Sequence, residues 1–209
     1  FTQATGHTAR VSLGSTGRLY AQIRQGAPFD VLLAADDTTP LKLEQEGWAV
    51  PGTRATYAVG RLVLWSPQPH RVDAQGAVLK SGELVKLAVA EAKLAPYGAA
   101  AQEVLQRQGV WARWQPHLVF GESIGQAHQF VASGNAPMGL VALSQVQRPG
   151  RAIEGSAWVV PQEWHKPLRQ DLVLLKRAQG SDAAQAWVRF MQGPQARAIL
   201  RDYGYGFAH

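Results

Sequence analysis

The chain has 209 residues, 46% hydrophobic and 17% charged, the balance of an ordinary globular protein of one large or two small domains. It has no cysteine, which excludes disulfides and thiolate metal sites. Its net charge of +6 is spread thinly rather than in runs. Without aromatic–basic interleaving it reads as a solvated basic surface and not as a nucleic-acid interface. No run approaches the roughly 20 apolar residues that a membrane-spanning helix requires.

Phe1 to Thr5 followed by Gly6 reads as the tail of a helix ended by a glycine cap. Open α/β sheets usually begin with a strand. The expectation is that a strand, a loop and most of a helix precede Phe1, together with any targeting segment.

Strand and helix patterns then alternate. Thr8 to Ser12 is predicted as a short strand, and Gly14-Ser15-Thr16-Gly17 turns into a helix with Leu19 and Ile23 on one face. Asp30 to Ala35 reads as a buried strand, and Thr39-Pro40 opens a helix that Gly47 closes. Arg54 to Trp65 reads as one long strand, stopped by Ser66-Pro67-Gln68-Pro69, the first expected crossover. Leu84 to Ala90 is a strand, followed by a helix from Pro96 to about Gln108. Leu118 to Phe120 is a strand, followed by a helix from Ile124 to Ser133. Met138 to Ala142 is another, followed by a short helix through Val146.

Beyond Trp158 to Val160, the irregular region around Pro161 and Pro167 is the expected return crossover. A strand at Leu172 to Lys176 and two helices, one capped by Ser181 and one opened by Gly193-Pro194, complete the chain. The pattern predicts an α/β fold of two lobes, each a mostly parallel sheet flanked by helices, joined by two crossover strands. Residues 1–64 and 170–209 would form the first lobe and 65–169 the second. Ligands of such folds sit at the carboxyl ends of the strands, which here means the cleft between the lobes.

Three strand-to-helix turns could carry chemistry. Ser12-Leu13-Gly14-Ser15-Thr16-Gly17 offers free helix N–H groups, hydroxyls on Ser15 and Thr16, and a dipole that favours an anion. Its blander reading is an ordinary N-cap by Thr16. Gly121-Glu122-Ser123-Ile124-Gly125 is a second such start, with Ser123 as cap and free amides at Ile124 and Gly125. It also matches G-x-S-x-G, so a serine hydrolase with Ser123 as nucleophile is an alternative. That reading needs an acid and then a histidine downstream. Asp171, Asp182 and Asp202 are available, but only His209 follows them. In Ala95-Pro96-Tyr97-Gly98, Pro96 suits a first helical turn and leaves the Tyr97 amide at the helix start. No pair among the six histidines has metal-ligand spacing, so no metal held by side chains and no cofactor is expected.

These pieces, in this order, resemble the periplasmic molybdate/tungstate-binding proteins of bacterial ABC importers. The resemblance rests on Ser12-x-Gly14-Ser15-Thr16-Gly17 with Leu19 to Ile23, Gly26-Ala27-Pro28-Phe29-Asp30-Val31 and Ala35-Asp36. It extends through Pro51-Gly52-x-Arg54, Tyr57 to Ser66, Ala95 to Gly98, and Ser123 to His128. It implies a type II periplasmic-binding fold closing on one tetrahedral oxyanion, molybdate or tungstate, for delivery to an inner-membrane ABC permease. It implies a receptor and not an enzyme, located in the periplasm. A monomer is expected, or a strand-exchanged dimer in which a second copy fills the edge left by the missing strand.

The implied donors are hydroxyl and backbone groups at Thr16, with Ser15 beside it, and the amides of Tyr97 and Ile124. With the cap Ser123, the candidate ligand set is Ser15, Thr16, Tyr97, Ser123 and Ile124. A hydroxyl-bearing loop that the family places after its first strand is absent from this chain. Glu91-Ala92 stands where close relatives carry Asn-Pro, and Leu168 or Gln170 where some carry a ligand-touching tyrosine. A sensory oxyanion-binding domain would share this chemistry and is the other alternative.

Overall fold

A computed structural model describes residues 1–208; His209, the only histidine that could complete a downstream triad, lies outside the described residues. The chain divides into two compact units. The first comprises residues 1–59, 169–201 and 206–209, and the second residues 60–168 and 202–205. The chain therefore changes unit at Val59–Gly60 and at Leu168–Arg169, and briefly again at Arg201–Asp202 and Tyr205–Gly206. The first crossing lies before the Pro-rich stretch at Ser66–Pro69, because the expected strand from Arg54 to Trp65 is two strands.

In the first unit, strands β1 (Val31–Leu33), β2 (Ala55–Gly60) and β8 (Leu168–Leu174) form a sheet in the order β1-β8-β2. β1 runs antiparallel to β8, with Leu32 opposite Val173. Side chains alternate across a strand, and the two faces separate cleanly. Leu32, Ala34, Val173 and Leu175 pack with Ile23 of helix α2 (Thr16–Arg24) and Leu43 of α3 (Thr38–Gln45). Leu172 packs with Met191 of α9 (Asp182–Met191) and Ala196 of α10 (Pro194–Asp202) on the other face. Buried Asp171 accepts from Arg54 Nη1 at 2.9 Å and from Thr56 Oγ1 at 2.6 Å, which fixes β8 beside β2.

Two expectations fail in this unit. Thr8 to Ser12 forms no strand: no ladder partner lies beside it, and Val11 and Leu13 are 72% and 92% exposed. A strand without a neighbour leaves its amides and carbonyls to water and gains nothing from its pattern. The cap of α2 is Ser15 and not Thr16. The short helix α1 (Thr2–Thr5) does end at Gly6 in the left-handed conformation, φ 75°.

The second unit holds a five-stranded sheet in the order β5-β4-β6-β3-β7. Its strands are β3 (Leu62–Ser66), β4 (Leu87–Ala90), β5 (Leu118–Gly121), β6 (Met138–Ala142) and β7 (Ser156–Val159). β4 is parallel to β5 and β6, whereas β3 is antiparallel to both β6 and β7. The five-stranded sheet is therefore mixed and not mostly parallel, and β1 with β8 in the first sheet is antiparallel, because an apolar strand pattern records burial and not direction. Leu62, Leu64, Val89 and Leu140 face α5 (Pro96–Arg107) and α6 (Trp111–Trp114). Val63, Trp65, Ala88 and Val141 face α7 (Ile124–Ala132). Among the described residues, no helix is long and apolar enough to cross a membrane.

Candidate functional site

In the first unit, the donors gather at the start of α2. Ser15 Oγ accepts from the Arg18 amide at 3.3 Å. Thr16 Oγ1 accepts from the amide of Ala35, just beyond β1, at 3.3 Å. A hydroxyl that spends a lone pair on a backbone N–H keeps its own proton to donate. The amides of Thr16 and Gly17, which open the helix, make no hydrogen bond among the described residues. Asp36 follows Ala35 at once, but its carboxylate is engaged by Thr39, through the amide at 2.9 Å and the hydroxyl at 3.0 Å. Asp36 thus supplies the side-chain oxygen at the start of α3.

In the second unit, two helix starts lie at the carboxyl ends of neighbouring parallel strands. Ala90 of β4 is in register with Gly121 of β5, and the Glu91 amide donates to the Gly121 carbonyl at 2.7 Å. α5 begins five residues after Glu91, and its Gly98 presses against the end of β4. A Cβ at Gly98 would overlap the Ala90 carbonyl oxygen and stand 2.8 Å from the Glu91 carbonyl carbon. Only glycine lets this helix start so close to the strand. Tyr97 is buried, and its amide belongs to the first turn of α5, where helix N–H groups point out along the axis.

α7 starts two residues beyond β5, and its first turn is braced from three sides. Ser123 Oγ accepts from the Gln126 amide at 3.1 Å, and Gln126 Oε1 accepts from the Glu122 amide at 2.7 Å. This closely resembles a capping box, announced in the sequence by Ser123 and Gln126 three residues apart. Gln145 completes the brace. Its Nε2 donates to the Ile124 carbonyl at 3.0 Å, and its Oε1 accepts from the Ala142 amide at 2.9 Å. No sequence signal marked Gln145, which lies 21 positions from Ile124. The Ile124 and Gly125 amides make no hydrogen bond among the described residues. With the helix dipole behind them they suit a negative charge.

Ser123 is a helix cap. No histidine hydrogen-bonds its hydroxyl among the described residues. His165 is buried, with Nδ1 2.8 Å from the Lys166 carbonyl, and Asp171 belongs to the other unit, engaged by Arg54. His128 of α7 stacks on Trp65 at 5.3 Å. Burial, with the Arg148 charge as a second cause, holds its pKa below the usual imidazole value. No group of three or more acidic or histidine side chains is arranged for a metal among the described residues.

Two α/β units, each assembled from separated stretches of chain, with donor-rich helix starts at strand ends, define the periplasmic-binding-protein type of fold. The chain belongs to the bacterial extracellular solute-binding protein family, which it matches over residues 1–206. It is 53% identical over 206 residues to the molybdate-binding protein ModA of Azotobacter vinelandii, covering 99% of this chain and 82% of that protein. It is also 53% identical over 206 residues to ModA of Rhodobacter capsulatus, covering 98% and 80%. The solved structure of the Azotobacter vinelandii periplasmic molybdate-binding protein superposes with a TM-score of 0.91 at 40% identity, covering all of this chain and 91% of that one.

Proposed function

We propose that this chain is the periplasmic receptor of an ABC importer and binds molybdate or tungstate through Ser15, Thr16, Tyr97, Ser123 and Ile124. The receptor passes the oxyanion to a membrane permease without chemical change. The observation that carries the reading is the pair of helix starts α5 and α7 at the ends of neighbouring parallel strands, in a chain so similar to two molybdate-binding proteins.

The donor set is made of amides and alcohols. Hydrogen bonds to a charged partner contribute about 1.5–3 kcal/mol each, so several of them offset much of the anion's desolvation. A site of donors favours an oxyanion without protons. Phosphate keeps one near neutral pH and would face it toward a donor. Sulfate carries none and must be rejected by size.

Titration calorimetry with molybdate, tungstate, sulfate and phosphate tests the assignment. Tight binding of the first two, with little heat from the others, is expected. Equal affinity for sulfate would end it. Ser123 is expected to stay unlabelled by a fluorophosphonate, because a capping hydroxyl without a base is a poor nucleophile.

A further inference from the structure

Gly60 and Leu168 are the residues at which the main stretch of the second unit begins and ends. The side chain of Tyr97 meets Gly60, and Leu168 borders the same point. A Cβ built on Gly60 would overlap the Tyr97 hydroxyl, stand 2.8 Å from its Cζ and lie 3.2 Å from the Leu168 Cβ. The phenol thus occupies the space that Gly60 leaves by lacking a side chain, and Leu168 closes the same space. Tyr97 is buried in one cluster with Leu62 and Leu168, which lie at the two crossings, and with Val160. The backbone of the same residue lies in the first turn of α5, which Gly98 seats against the Ala90 carbonyl.

We propose that Tyr97 is a positioning residue that couples anion binding at α5 to the two crossings that bound the main stretch of the second unit. This rests on the proposed function. An anion held by first-turn amides fixes the backbone of Tyr97. Its ring is rigid, with two side-chain torsions, and its far end is packed against Gly60, which has no side chain that could yield. Close-packed interiors pass displacement on rather than absorb it. A shift at the helix start therefore reaches Gly60 and Leu168 through one side chain.

Amide hydrogen exchange with and without saturating molybdate tests this. In the unaltered chain, molybdate should slow exchange at the starts of α5 and α7 and also at residues 57–62 and 166–171. Tyr97→Leu should keep the slowing at 122–126, lose it at the two crossings, and bind about 2- to 30-fold more weakly. Tyr97→Phe, which keeps the ring, should fall between, and it serves if the leucine variant does not fold. Gly60→Ala, which displaces the phenol from the opposite side, should repeat the leucine pattern. A purely structural role would speed exchange at the crossings equally with and without ligand, leaving the ligand-dependent difference unchanged, and that result would overturn the coupling. So would protection in the unaltered chain confined to the helix starts, and both would leave molybdate binding intact. Failure of the unaltered chain to bind molybdate would remove the coupling and the functional reading together.

Discussion

Gln145 holds Ile124 by its carbonyl at 3.0 Å while its other end takes the Ala142 amide, so one side chain joins the first residue of α7 to the last residue of β6. The proposed donor on Ile124 is the amide of the same residue. Gln145→Ala removes two hydrogen bonds, about 0.5–1.5 kcal/mol each, and should lower the melting temperature and weaken molybdate binding together. Gln145→Glu keeps the acceptor for Ala142 but loses the donor and adds a negative charge near the helix start. It should weaken molybdate binding more than alanine does. Calorimetry and thermal unfolding on both variants check the order, and equal or reversed affinities would show that Gln145 does not place this donor.

Thr16, with Ser15, is a residue of the first unit proposed to bind the ligand. Thr16→Val keeps the shape and removes the proton, and it also leaves the Ala35 amide without its acceptor. The expected loss is about 1.5–3 kcal/mol of binding, roughly 10- to 150-fold in Kd. Thr16→Ser should bind nearly as tightly as the unaltered chain. A valine variant of unchanged Kd in a molybdate titration would remove Thr16 from the site.

Much of the second unit was legible because its inner strands β3, β4 and β6 bury both faces. Met138 to Ala142 is unbroken apolar sequence, and it is β6. Ser123 and Ser181 cap the helices expected of them, since a hydroxyl just before an apolar helical face is a local signal. What was lost depends on partners far away in sequence. Thr8 to Ser12 alternates like a strand but has no ladder to join. The run from Arg54 to Trp65 hides a break at Arg61 that only Gly60 marks. The reversed direction of β3 leaves no trace in its composition. At the site, Ser15 and Thr16 were both visible, but which hydroxyl caps α2 and which one meets Ala35 follows from the helix register and from β1.

Gly98 sets how close α5 approaches β4. A methyl group there would meet backbone at Ala90 and Glu91, and backbone in a strand end cannot step aside. Gly98→Ala should cost about 1–3 kcal/mol of stability by overpacking and shift the α5 amides away from their place. Gly180→Ala is the control, because a Cβ there meets nothing within 4 Å, and it should stay within about 0.5 kcal/mol of the unaltered chain. Urea unfolding and a molybdate titration on both variants test the pair. A Gly98→Ala chain with normal stability and affinity would mean that the close approach has no functional weight.

His128 gives the stability of the second unit a pH dependence of predictable sign. Burial first, and Arg148 second, depress its folded pKa below the 6.5 of a free imidazole. Between those two values the unfolded chain binds more protons than the folded one, so stability rises with pH across that window. The contribution is complete above pH 6.5 and is lost as the pH falls through the folded pKa. His128→Gln keeps a polar planar group near Trp65 but cannot take up the proton. Urea unfolding at a series of pH values should give the unaltered chain a positive slope just below pH 6.5 that the glutamine variant lacks. Parallel curves would place the titrating group elsewhere, and a steeper slope in the variant would reverse the sign argued for His128.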